Sequence, residues 1–265
     1  MTRSQPDADR RFSGKRVLVT GAGSGIGAAT ARAFAATGAQ VACADLNLDA
    51  AAAVAAAITA DGGSALACAV DVAEEGANLA LVDSVLAAFG GLDIAYLNAG
   101  ILARGSILDT DADTWDRVMR VNLRGVFMGL RAVVPPMRTA GGGAIVVPAS
   151  VGGLTGDVNL SAYVAAKHGV VGLVKCAAAE FAAENIRVNA VAPGAVATPM
   201  AGAGEMDLGP GSAIANLHPL GRVAQPEDIA NLVLFLCSEQ ASFITGSIYP
   251  IDGGMTAVNS PRYRG

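Results

Sequence analysis

Histidine is almost missing from this chain: only His168 and His218 occur in 265 residues. Two imidazoles are too few for most histidine-built metal sites, and a Ser–His–Asp hydrolase would have to recruit one of them. No G-x-S-x-G turn is present to seat such a serine. The four cysteines, Cys43, Cys68, Cys176 and Cys237, stand singly, so neither a zinc site nor a C-x-x-C redox pair is signalled. Charge is sparse at 15% of residues, and the balance is acidic, with a net charge of −5 and a pI near 5.0. Nucleic acid and anionic membrane surfaces both call for a basic face, so neither is an expected partner. No run of about 18 uncharged apolar residues could span a bilayer. The alanine-rich run at 50–60 is shorter, and Asp49 and Asp61 bracket it. The opening stretch MTRSQPDADRRFSGKR is polar and lacks an apolar signal core. Residues 1–12 read as a flexible tail, and a cytoplasmic setting with reduced thiols is the expectation.

What is abundant is apolar residue, 52% of the chain, in a definite order. Short runs bounded by Gly, Asp or Asn recur: RVLVT (16–20), QVACAD (40–45), ALACAVD (65–71), LDIAYLN (92–98), GAIVVPAS (143–150), IRVNAVAP (186–193) and GSIYPID (246–252). Continuous rather than alternating runs of this kind suit parallel strands buried on both faces. Helical stretches are expected between them, near 25–37, 47–60, 75–89, 113–138, 160–184 and 226–238. Asp113 is a candidate N-cap, and Gln225–Asp228 puts Pro226 and two acids in a first turn. Strand–helix alternation predicts an α/β fold, a doubly wound, seven-stranded parallel sheet with helices on both faces. One catalytic domain is expected over 13–265. Its least regular interval, 195–220, is rich in Gly and Pro and reads as a flap over a substrate.

The first strand runs into TGAGSGIG, residues 20–27. A turn from a strand into a helix N-terminus aims free N–H groups at an anion, and glycine lets the backbone approach a pyrophosphate. Gly21, Ser24, Gly25, Ile26 and Gly27 are therefore candidate dinucleotide contacts in a Rossmann-like unit. Asp45 ends the second strand about twenty residues further on. Its carboxylate suits the two ribose hydroxyls of NAD and would repel a 2′-phosphate. The following residues, from Leu46, offer no Arg or Lys to hold one. NAD is expected over NADP; a helix N-cap is the plainer role for Asp45.

SAYVAAKHG (161–169) sets Tyr163 and Lys167 four positions apart, on one helical face. A phenol with a pKa of about 10 is a poor base at neutral pH, and a nearby ammonium favours the phenolate. Such a tyrosine can exchange a proton with an alcohol or carbonyl oxygen.

Together and in order, these features resemble the short-chain dehydrogenase/reductase family in its compact, single-domain form, from Gly14 to about Thr256. TGAGSGIG resembles the family's T-G-x-x-x-G-x-G, and YVAAK its Y-x-x-x-K. DV at 71–72, LNAG at 97–100, VNLRGVF at 121–127, the serine of AS at 149–150 and APGAVATPM at 192–200 complete the series. The serine stands thirteen positions before the tyrosine, the family's usual interval. The resemblance implies that Tyr163 is the general acid/base. Lys167 would lower its pKa and hold the nicotinamide ribose, and Ser150 would polarise the substrate oxygen. Asn122 would hold a water that relays protons from Lys167. The resemblance places Asp71 and Val72 beside the adenine, and Asn98, Ala99 and Gly100 along the cofactor. Pro193, Gly194, Val196 and Thr198 would border the nicotinamide.

Two departures stand out. Leu97 replaces the first Asn of N-N-A-G, and Pro148 and Ala149 replace polar residues before the serine. A proline cannot donate in a sheet ladder, so the strand end near Ser150 is expected to shift. The residues expected around a substrate are mostly apolar: Leu102, Gly152, Leu154, Leu160 and Met200, with Met206 and Leu208 in the flap. They suit a hydrophobic or cyclic secondary alcohol and its ketone, while Asp157 and Asn159 leave a polyol open. His218 is a possible substrate contact; His168 faces away from the site. An epimerase or dehydratase on the same scaffold, or a non-catalytic NAD-binding protein, are the alternatives. The family also implies a homotetramer, joined through the long helices and the last strand.

Overall fold

The computed structural model describes residues 10–202, 204 and 207–258. Its sheet has seven parallel strands in the order β3-β2-β1-β4-β5-β6-β7. They are β1 (Arg16–Thr20), β2 (Gln40–Asp45), β3 (Ser64–Ala69), β4 (Ile94–Tyr96), β5 (Gly143–Pro148), β6 (Ile186–Pro193) and β7 (Ile248–Ile251). The intervening helices are α1 (Gly25–Ala36), α2 (Leu48–Ala60), α3 (Glu75–Phe89), α4 (Ala112–Met119), α5 (Gly125–Thr139), α6 (Ser161–Phe181) and α7 (Pro226–Cys237). The chain steps outward from β1 to β3, then returns to place β4 on the other side of β1. That reversal opens a crevice beyond the C-terminal ends of β1 and β4, where ligands of doubly wound sheets bind.

Both faces of the sheet are covered, which is why its strands carry few polar residues. One core joins Val17, Val19, Val41 and Tyr96 to Phe34 of α1, Ile58 of α2 and Val233 of α7. The other joins Leu18, Ile145, Val147 and Val188 to Val82 of α3, Leu130 of α5 and Val174 of α6. Phe12 belongs to the first core, edge-on to Phe34 at 5.0 Å between ring centroids. The packed chain thus begins at the last residue of the stretch expected to be a tail, because an aromatic ring gains more by burial than a loose end gains in entropy. Residues 1–9 of that stretch lie outside the described residues.

The helix expected over 113–138 is interrupted. Arg120–Arg124 forms one π-helical turn between α4 and α5, and the cap of α4 is Asp111, not Asp113: its side chain accepts from Thr114 N at 2.7 Å. Periodicity does not register a single inserted residue, but the packing does. Glycines bring α5 onto its neighbours: a Cβ on Gly125 would lie 3.1 Å from Val72 Cγ2, and one on Gly129 3.1 Å from Leu97 Cδ1. Leu97, the departure from the N-N-A-G pattern, is a buried core residue facing that glycine. Pro148 does not interrupt the ladder to β6. The β5–β6 register runs unbroken to Pro148 opposite Val191, and Ala149 N donates to Val191 O at 2.8 Å. By alternation the missing N–H faces the other side, where β4 has already ended at Tyr96.

Candidate active site

The glycine loop is built from backbone. Gly21 and Gly25 have φ of 65° and 51°, in the left-handed region that favours glycine. A Cβ on Gly27 would lie 2.0 Å from Gly21 O, so only glycine lets α1 start this close beneath the loop. Ser24 caps α1 without a side-chain bond to it, and the first N–H groups of the helix have no partner within the helix itself. Asp45 reaches the loop from the end of β2: its Oδ2 accepts from Gly23 N at 2.9 Å, and its Oδ1 from Asn47 N at 3.0 Å. Asn47, not Asp45, caps α2. Leu46 is largely exposed beside it.

The remaining predicted cofactor residues lie along the same edge. Asn98 Nδ2 donates to Thr20 O and Gly21 O at 3.1 and 3.3 Å, and Ala99 N donates to Thr20 Oγ1 at 3.1 Å. The loop after β4 is thereby sewn to the loop after β1. Asp71 Oδ1 accepts from Ala73 N at 2.9 Å, and Val72 is buried. Pro193 ends β6; after Gly194, Val196 pairs with Ala224 in an isolated bridge, and buried Thr198 lies against the glycine loop, since a Cβ on Gly25 would meet its Cγ2 at 3.0 Å. A dinucleotide fits these residues: the cradle is one that side chains would fill, it opens on a helix N-terminus, and a carboxylate stands at its rim.

Ser150, Tyr163 and Lys167 come together beyond β5. Ser150 follows the strand, and its Oγ accepts from Gly152 N at 3.1 Å while lying within hydrogen-bonding reach of the Tyr163 phenol. Lys167 is 4% exposed, and its Nζ donates to Pro148 O at 2.6 Å, 5.5 Å from the Tyr163 ring centroid. Burial pushes the phenol's pKa up, and the bond from Ser150 pulls it partly back. Burial brings Lys167 down to about 8. The expected lowering of the phenol by the ammonium is not the balance found here. The ammonium donates to Pro148 O, and loss of water around the phenol is the largest influence on it.

Asn122 sits in the π turn, fully buried. Its Oδ1 accepts from Ile101 N and its Nδ2 donates to Ile101 O, both at 2.8 Å. The side chain clamps the loop after β4, with one backbone partner for its oxygen and one for its nitrogen. A Cβ on Gly100 would meet Asn122 Oδ1 at 3.0 Å, so this loop also passes close to the clamp.

Among the substrate candidates, Gly152 adjoins the reacting groups: a Cβ there would lie 3.6 Å from Ser150 Oγ and 3.7 Å from Tyr163 Cδ1. Leu160 bridges to Gly105 just ahead of α6. Leu102, Leu154 and Met200 are partly to largely exposed on loops that leave the same edge. Met206 lies outside the described residues. His168 is exposed and bonds Val164 O, whereas His218 is buried against backbone. Sequence reasoning missed Asn78, a buried side chain donating to Val72 O at 2.9 Å and Glu74 O at 2.8 Å; nothing in its local pattern marks it as a brace.

A family model described as enoyl-(acyl carrier protein) reductase matches residues 21–256. A cyclohexanol dehydrogenase of Acinetobacter sp. (strain SE19) is 46% identical over 248 residues, covering 93% of this chain and 97% of its own. Among solved structures, a levodione reductase superposes with a TM-score of 0.89 at 40% identity, covering 94% of this chain and 100% of the other. A short-chain type dehydrogenase/reductase from Mycobacterium marinum gives 0.86 at 36% identity, covering 94% and 98%.

Proposed function

The chain belongs to the short-chain dehydrogenase/reductase family, and from that premise we propose that it interconverts a hydrophobic or cyclic secondary alcohol and its ketone with NAD. The observation that carries this reading is the meeting of Ser150, Tyr163 and Lys167 at the sheet edge that also bears the glycine loop. The nicotinamide, when bound, supplies the hydride acceptor. In the oxidising direction Tyr163 acts as the phenolate, its Oη taking the hydroxyl proton as the carbinol carbon gives up hydride; in the reverse direction the phenol returns that proton. Ser150 Oγ holds the substrate oxygen in line with the phenol and steadies its charge. Lys167 serves as a buried cation beside the ribose. Its proton is available, because a lysine near 8 exchanges at physiological pH far more readily than an exposed one. The glycine loop would hold the pyrophosphate, Asp71 and Val72 the adenine, and Asn98, Ala99 and Gly100 with Pro193, Gly194, Val196 and Thr198 the nicotinamide half.

NAD is favoured over NADP because Asp45 sets a carboxylate at the loop's rim, already within 2.9 Å of Gly23 N. A 2′-phosphate would meet that negative charge. Gly152, Leu154, Leu160, Leu102 and Met200 offer the substrate small and apolar walls. The relative named for cyclohexanol supports a ring-bearing alcohol. We also propose a homotetramer, as the family implies: a groove between α4, the π turn, α5 and α6 carries Met119, Leu123, Phe127 and Leu173 over Gly169 and Gly172, with Asp116, Arg120 and Arg124 also lining it, an apolar floor with charges that suits a subunit contact. A panel of cyclohexanols, linear alcohols and polyols, each offered with NAD and with NADP, tests the proposal. Turnover is expected with cyclic alcohols and NAD. Turnover confined to polyols would remove the apolar-alcohol reading, and a preference for NADP would remove the role of Asp45.

A further inference from the structure

His218 is 2% exposed, so its ring nitrogens must find partners inside the protein. Ala195 N donates to Nε2 at 3.1 Å, and Nδ1 lies 3.0 Å from Ile214 O. A backbone N–H can only donate and a carbonyl can only accept. Nε2 is therefore bare and Nδ1 carries the proton, which makes this imidazole neutral and defines its tautomer. The ring ties together the two ends of the 195–220 interval: Ile214, late in it, and Ala195, in the stretch that follows β6.

The approach is close. A Cβ added to Gly194 would lie 2.6 Å from His218 Nε2, so glycine at 194 makes room for the ring. On its other side the same stretch is held by Ala224, which donates to Ala195 O at 3.0 Å and accepts from Ala197 N at 2.8 Å. The backbone at 195–197 is thus gripped between an imidazole and a strand-like bridge. Its continuation, Thr198, packs on Gly25 of the glycine loop.

We propose that His218 is a positioning residue for coenzyme binding: its neutral imidazole sets the backbone of Gly194–Val196, and through it Thr198, against the cofactor cleft. The proposal rests on reading that cleft as the coenzyme site. His218 bonds the backbone of Ala195 and Ile214, so it acts through the loop and not on the reaction.

Three measurements test it. Nitrogen NMR of the protein carrying His168→Gln, which leaves His218 as the one imidazole, should show the Nδ1-protonated neutral tautomer; the Nε2-protonated form would overturn the proposal. His218→Phe keeps a ring of similar bulk but removes the acceptor for Ala195 N. It should speed amide exchange at Ala195, weaken NAD binding by about 10-fold and raise the KM for NAD more than it lowers kcat. His218→Gln offers an acceptor and a donor at similar spacing and should restore NAD binding to within roughly 3-fold of the parent. Unchanged NAD affinity in His218→Phe, or a Gln variant as weak as Phe, overturns the positioning role. Should the Phe variant fail to fold, the tautomer and the Gln variant decide. If the parent protein binds no NAD at all, the coenzyme reading falls. Slow amide exchange at Ala195 that quickens in His218→Phe would still confirm the imidazole's grip on the loop.

Discussion

The two edges of the sheet use buried polar groups in opposite ways. At the N-terminal edge, charges are matched within the protein. Arg16 donates from Nε and Nη2 to Asp93 at 2.7 and 2.8 Å, and its backbone N donates to the same carboxylate at 2.8 Å. Arg187 donates to Leu236 O, Ile244 O and Ser238 O, capping the end of α7. At the C-terminal edge, the groups are instead arranged around a cleft. Asp45 braces a glycine loop, Lys167 is buried with a carbonyl as its hydrogen-bond acceptor, and Tyr163 is moved away from its ordinary pKa by burial. Polar groups matched by fixed partners stabilise the fold; polar groups aimed at a crevice are left to act on a ligand. Substitutions at the two edges should therefore separate activity from stability.

The largest effect is expected at Tyr163. Tyr163→Phe removes the group proposed to transfer the proton and should lower kcat by roughly 10²–10⁴-fold, with the Kd for NAD and the Tm close to the parent values. A variant that kept its kcat would break the contrast at its centre. Asp45→Ala should raise the KM for NAD by about 10–100-fold, the cost of losing hydrogen bonds to a charged acceptor, and should narrow the preference for NAD over NADP. Steady-state kinetics with both coenzymes reads this directly.

At the opposite edge, Asp93→Asn should leave kcat unchanged and cost about 1.5–3 kcal/mol of stability. Burial alone would raise the Asp93 pKa, but the bonds and charge of Arg16 outweigh it and hold the carboxyl below its ordinary range. The stabilisation is therefore complete above the unfolded-state pKa of about 3.9 and is lost as pH falls through the lower folded value. Denaturant melts at descending pH should show this loss in the parent and not in Asp93→Asn.

Lys167 sharpens the comparison from the other side, because a charge buried at the cleft costs stability. Its pKa of about 8 lies below that of the unfolded chain. Between about 8 and 10.4 the unfolded state binds more protons, so this residue's contribution to stability rises with pH in that window. Lys167→Met should be more stable than the parent below pH 8, by at most about 3 kcal/mol, and the advantage should shrink towards pH 10. A difference independent of pH would show that the ammonium is not penalised there.

Legibility in the sequence followed how local each cause is. The strand runs were readable because a strand buried on both faces must be apolar throughout, and QVACAD forms β2 with the bounds expected of it. The glycine loop was readable because positive φ at Gly21 and Gly25 demands a residue type. Asp45 and the Tyr163–Lys167 pair were readable from position along a strand end and a helix face. The π turn at Arg120–Arg124 was not, since it follows from the close packing of α5 on Val72 and Leu97 and from the Asn122 clamp on Ile101. The harmless Pro148 was not, since it depends on where β4 stops. The burial of His218 and its hold on Ala195 were not either, since 23 residues separate the partners and no local pattern links them.

By itself, the sequence determined a parallel α/β chain with a dinucleotide loop and a serine, tyrosine and lysine in family order, because hydrophobic runs, glycine conformation and helical spacing are properties of short stretches. Only the tertiary structure decided which way those groups titrate, what Asn122 holds and where His218 lies. Burial and long-range hydrogen bonds arise when distant segments pack, and they are not written in any one segment.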